Sequence, residues 1–119
     1  MKIQRMISME FLGTAILAVA IVGSGHMAIN LQADSGMVLL INALATAIGL
    51  ALVIRIGMKV SGSHFNPAVT LVMLMLKKIT PQLSLFYITA QVVGAITGCL
   101  LYTSPSPRDV EESRMPSSA

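Results

Sequence analysis

Ser61-Gly62-Ser63-His64-Phe65-Asn66-Pro67-Ala68-Val69-Thr70 joins polar, glycine-containing backbone to an apolar run that continues to Leu76, just before Lys77-Lys78. Asn66 is a favoured helix N-cap, and Pro67 suits the first helical position, where a missing N–H is no loss and the ring presets φ. The pattern predicts a helix over 67–76, whose ten residues extend about 15 Å. A bilayer's hydrocarbon core is about 30 Å thick, so this helix reaches only halfway across. Irregular backbone ahead of it, over 62–65, is tolerated at that depth only if it is buried in protein or lines a watery path. Asn66 and the preceding carbonyls are therefore expected to face a pore, with the positive end of the helix pointing at what passes.

Lipid as the solvent follows from composition. Hydrophobic residues make up 55% of the chain and charged residues 11%, with mean hydropathy +0.79, against about 25% charged in soluble domains. Residues 7–29 and 37–55 are long and apolar enough to cross, and 83–98 form a third span after the Thr80-Pro81 turn. The first span exceeds a signal-peptide core and lacks a small-residue cleavage pattern where one is needed, so it is read as a retained helix. Lys2 and Arg5 precede it, and Arg55, Lys59, Lys77 and Lys78 follow the second span. The connection over 30–36 has Asp34 and neither Lys nor Arg. This asymmetry puts the N-terminus and the mouth of the Asn66 loop in the cytoplasm of a multi-pass protein of a plasma or inner membrane.

Net charge is +3 without a dense basic patch, which excludes a nucleic-acid partner. Cys99 is the single cysteine, so the sequence offers no cysteine pair for an intrachain disulfide or a metal. No paired carboxylates, Ser/His/Asp set or Cys/His metal spacing is present, so neither an enzyme nor a cofactor or metal site is expected; an intramembrane enzyme built on His64 lacks a nucleophile or second acid at useful spacing. Two positions inside the spans are costly in lipid. Glu10 either faces a partner within the protein or is hydrated near the headgroups, and Gln91 needs a partner in the helix bundle. Ala90, Gly94 and Gly98 are four residues apart, and Gly23-Ser24-Gly25 are also small; both sets suit close helix approach. His26 is read as an interfacial residue.

The 61–70 run is similar to the first pore loop of the aquaporin family, the water and small-solute channels also called major intrinsic proteins. Glu10-Phe11-Leu12-Gly13-Thr14 and Ala90-Gln91-Val92-Val93-Gly94-Ala95 fall where that family has similar segments, and the resemblance covers about 6–98. It implies an all-α membrane fold with three transmembrane helices and one re-entrant half-helix, the first of two inverted repeats of a six-helix channel. Members assemble as tetramers with a pore in each subunit, so a homotetramer is implied for the intact protein. The permeant implied is water or a small neutral solute of the glycerol type. It would meet the Asn66 amide of the Asn66-Pro67-Ala68 motif and the carbonyls of Gly62, Ser63 and His64. Glu10, with Gln91, would brace the loop by accepting hydrogen bonds from its backbone; Phe65 would pack the loop, and His64 would shape it or stand at the cytoplasmic mouth. Thr46 falls at a filter position where water-selective members carry an aromatic, which hints at a wider pore; a helix-packing hydroxyl is the other reading of Thr46. The second loop and its filter arginine do not occur in this chain, so residues 1–98 are expected to be a half-channel inactive alone. The alternative is a small three-helix membrane protein without conductance, acting through helix association.

The tail breaks these patterns. Residues 99–109, Cys-Leu-Leu-Tyr-Thr-Ser-Pro-Ser-Pro-Arg-Asp, match a translated transposase-type sequencing adapter residue for residue, and 113–119 match its continuation, with Val110-Glu111-Glu112 filling the gap of a sample index. Residues 99–119 are therefore expected to be non-native, the gene having been cut near the Gly98 codon.

Overall fold

The computed structural model describes residues 2–103 and, among them, four helices and no strand: α1 Lys2–Asn30, α2 Ser35–Gly57, α3 Pro67–Met75 and α4 Pro81–Thr103. Three of them, α1, α2 and α4, are long and apolar enough to cross a membrane. At 29 residues α1 measures about 43 Å and overshoots the hydrocarbon core. It begins at Lys2, five residues before the apolar run, because backbone hydrogen bonding continues where hydropathy has already fallen. By contrast α3 has nine residues and stops about halfway.

Local chemistry sets the boundaries. Asp34 caps α2 by accepting from the Met37 N–H at 2.9 Å, and Thr80 Oγ1 accepts from Leu83 N at 3.2 Å, so α4 starts at Pro81 and not at 83. The ends of α1 and α3 close alike. Gln32 and Lys77 take left-handed φ of 59° and 57°; the N–H groups of Gln32 and Ala33 reach back to Ile29 and Ala28, and those of Lys77 and Lys78 to Leu74 and Met73. This is the Schellman closure, made here without glycine.

The axis of the fold is α1, which packs against α2 on one side and α4 on the other, while α3 packs on α4. Small residues permit the closest approach. A Cβ on Gly94 would strike the Phe11 carbonyl, and one on Gly98 the Ala15 carbonyl, so these two glycines bring α4 against the backbone of α1. Between α1 and α2, Asn42 Nδ2 donates to the Ile21 carbonyl at 2.7 Å and to Ser24 Oγ at 3.1 Å. The start of α1 lies beside the end of α2, where Lys2, Arg5 and Lys59 line one hollow, and Ile3 lies beside Thr80 at the start of α4. The basic residues thus gather at one end of the bundle. Residues 99–103 continue α4 past the expected end at 98, and the Tyr102 ring lies over Gly23, its centroid 5.9 Å from that of His26. The expectation of a non-native origin for 99–119 falls, from 104 onward, outside the described residues.

Candidate pore loop and its carboxylate anchor

The largest fully buried side chains are Tyr87, Gln91, Glu10 and Thr70, so the centre of the bundle is polar. Each is there because a bond requires it. Glu10 Oε1 accepts from Ser61 Oγ at 2.7 Å and from His64 N at 3.0 Å; Oε2 accepts from Phe65 N at 2.7 Å and from Gln91 Nε2 at 2.8 Å. Four donors fill the four acceptor sites of one carboxylate, and hydrogen bonds to an ionised group are about twice as strong as neutral ones. Among the described residues no cation joins the cluster. Both Glu10 and the Gln91 Nε2 group are satisfied inside this chain; only Gln91 Oε1 lacks a partner among buried side-chain atoms of the described residues.

Thr70 and Tyr87 belong to the same assembly. The Gln91 amide also donates to Thr70 Oγ1 at 3.0 Å, and the Tyr87 hydroxyl donates to the Ser61 carbonyl at 2.6 Å. His64 Nδ1 lies 2.9 Å from Thr70 Oγ1, and the imidazole meets the Tyr87 ring edge-on at 5.1 Å.

Backbone shape follows from this anchoring. Gly62, Ser63 and Phe65 have φ of 87°, 53° and 51°, a region costing roughly 1–3 kcal/mol for each non-glycine residue and held only where surroundings over-determine it. Here they do. His64 and Phe65 turn their N–H groups to Glu10, Ser63 Oγ donates to the Ile54 carbonyl at 3.0 Å, and the Phe65 ring occupies the space that side chains on Gly13 and Gly57 would need. With the N–H groups of 64 and 65 turned inward, the carbonyls of Gly62, Ser63, His64 and Phe65 accept no hydrogen bond among the described residues. Asn66 follows in extended conformation, its Oδ1 accepting from Ala68 N at 2.9 Å as the cap of α3. Its Nδ2 is left without an acceptor among the described residues, and the side chain is exposed.

Gly62, Ser63, His64, Asn66, Pro67 and Ala68 therefore lie along one loop and helix start, fastened to Glu10 through Ser61, His64 and Phe65 and to Gln91 through Thr70. Thr46 stands apart: it lies on α2, which contacts neither α3 nor α4, and its hydroxyl donates to the Asn42 carbonyl at 2.7 Å. Sequence reading passed over Thr70 and Tyr87 as members of the site. Their signal was positional, since Tyr87 and Gln91 are one helical turn apart and Thr70 sits one turn after Asn66. Chemically this segment offers four carbonyl acceptors followed by one amide donor. Among the described residues no three His, Cys, Asp or Glu side chains gather as metal ligands.

Comparison with known proteins decides the family. The family model described as Major intrinsic protein matches residues 1–116. The chain belongs to the major intrinsic protein family. It is 45% identical over 92 residues to the aquaglyceroporin AqpS of Rhizobium meliloti, covering 77% of this chain and 40% of that protein. It is 38% identical over 96 residues to aquaporin TIP1-1 of Arabidopsis thaliana, covering 77% and 38%. To mouse aquaporin-4 it is 39% identical over 106 residues, covering 85% and 32%. The chain thus spans about two fifths or less of the length of these relatives. Membership in a family of aquaporins points to a membrane channel and not to an enzyme.

Proposed function

We propose that this chain is the first pore-forming half of a passive channel for water or small uncharged solutes of the glycerol type. The observation that carries the proposal is the strip of unused carbonyls at 62–65, held from behind by Glu10 and ending at the Asn66 amide on a half-length helix. In the complete pore a permeant's oxygen accepts from Asn66 Nδ2 while its hydrogens go to the carbonyls of Gly62, Ser63 and His64. Because the hydrogen bonds lost on leaving water are replaced one for one, a neutral hydroxylic molecule passes cheaply. The positive end of α3 opposes cations and protons.

The second half supplies the facing wall, a second half-helix and a filter arginine, so residues 1–98 alone do not conduct. Thr46, in place of an aromatic, widens the filter toward solutes larger than water, a reading supported by the likeness to an aquaglyceroporin. The intact protein is a homotetramer in a plasma or inner membrane, bounded by lipid and without a cofactor. Its N-terminus is cytoplasmic, since Lys2, Arg5, Lys59 and the start of α4 share one end of the bundle. Residues 99–119 are adapter-derived; genomic DNA downstream of the Gly98 codon distinguishes that origin from a native tail.

Stopped-flow swelling of proteoliposomes carrying the full-length gene product that contains this segment tests the proposal. Asn66→Asp keeps the capping oxygen and replaces the amide donor with an acceptor, so folding is preserved while the permeant loses a hydrogen bond. Water or glycerol permeability is expected to fall about fivefold, the worth of one net hydrogen bond. Unchanged permeability in the folded variant contradicts a pore role for Asn66.

A further inference from the structure

The basic end of α1 opens into a groove that the pore does not use. Lys2, Arg5, Lys59 and Val60 line a hollow of about 120 Å³. Arg5 and Val60 also line a neighbouring groove of about 420 Å³. That groove shares Ser8 and Leu12 with a third, of about 540 Å³, walled by Ile7, Phe11, Phe86, Ala90 and Val93 between α1 and α4. Arg5, Ser8 and Leu12 recur at helical spacing, so the three hollows form one track along a single face of α1, from cations at the bundle end to apolar side chains deeper in.

Among the described residues the cations have no counter-charge nearby. The two carboxylates among the described residues are Glu10, buried with four donors, and Asp34, which caps α2 at the other end of the bundle. Among the described residues neither Arg5 nor Lys59 makes a side-chain hydrogen bond or ion pair, and both are exposed. A ligand that fits carries negative charge at one end and a hydrocarbon chain at the other. We infer that this track binds one anionic phospholipid, its headgroup phosphate at Lys2, Arg5 and Lys59 and an acyl chain lying over Leu12 into the groove between α1 and α4. Basic pockets beside transmembrane helices are suited to such headgroups, and each nearby Lys or Arg strengthens the attraction.

Native mass spectrometry of the full chain in neutral detergent, titrated with dioleoyl phosphatidylglycerol or dioleoyl phosphatidylcholine, tests this. One phosphatidylglycerol is expected to bind at least about tenfold more tightly than phosphatidylcholine. The preference is lost in Arg5→Gln/Lys59→Gln but kept in Lys77→Gln/Lys78→Gln, which removes the same charge from the same end. Circular dichroism confirms that both variants remain helical, since none of the four side chains is buried. Millimolar glycerol phosphate does not displace the lipid, because it has no acyl chain. Equal binding of the two lipids, equal loss of preference in both variants, or displacement by glycerol phosphate overturns the inference.

Discussion

Glu10→Gln is expected to abolish the folded pore loop, with a loss of about 3–5 kcal/mol, the scale for breaking a buried, hydrogen-bonded charge. The change conserves shape and removes one acceptor oxygen. An amide nitrogen at the Oε1 site confronts His64 N, and one at the Oε2 site confronts Phe65 N, so in either placement a buried backbone N–H loses its acceptor. Whole domains are stable by only about 5–15 kcal/mol, so the loss is a large share. With the anchor gone, the left-handed conformations of Ser63 and Phe65 rest on the Ser63–Ile54 bond and on packing of the Phe65 ring alone. Thermal unfolding in detergent checks this, and a midpoint within a degree or two of the parent would show that the carboxylate does not fasten the loop.

The second large effect is at Gly94. A Val side chain there meets the Phe11 backbone, with Phe11 C and Cα at 3.2 and 3.3 Å from the new Cβ and the carbonyl oxygen nearer still. Backbone cannot rotate aside as a side chain can, so α4 must retreat from α1. Gln91, less than one turn away, is then drawn from Glu10. Overpacking costs about 1–3 kcal/mol, and coupling to the buried network places Gly94→Val at or above the top of that range. Val92→Ala, at an exposed neighbour, is the control and leaves the midpoint unchanged. Should Gly94→Val melt with the parent, α1 and α4 do not meet there.

Much of this architecture was legible in the sequence because it rests on local rules. Asn66 and Pro67 mark a helix start by their own cap chemistry, and the apolar run over 67–76 is too short to cross a bilayer. Glu10 and Gln91 were legible as polar residues in need of partners, a need set by lipid itself. What they bond to was not legible from residue chemistry, because Glu10 lies 51 to 81 positions from its four donors. Pattern alone also gave no sign that Ser63 and Phe65 adopt positive φ. Neither residue favours it locally, and the conformation is imposed by Glu10 and by the vacancies at Gly13 and Gly57. The span ends were misplaced for a different reason. Hydropathy marks where lipid stops, whereas α1 and α4 run on to Lys2 and Thr103 by backbone hydrogen bonds.

The central claim is that α3 descends from the basic end of the bundle to mid-bilayer, carrying Asn66 at its deep end. Nitroxide labels at Ala68→Cys and Lys77→Cys, in a Cys99→Ala background, measure this through the ratio of oxygen to nickel-chelate accessibility in bilayers. Of the nine steps between the two sites seven lie in α3, about 10 Å along the axis. Position 68 is predicted to lie near the bilayer centre and deeper than position 77 by about that distance. Equal depths at the headgroup level would mean that the helix lies flat outside the lipid, and the channel account would be wrong.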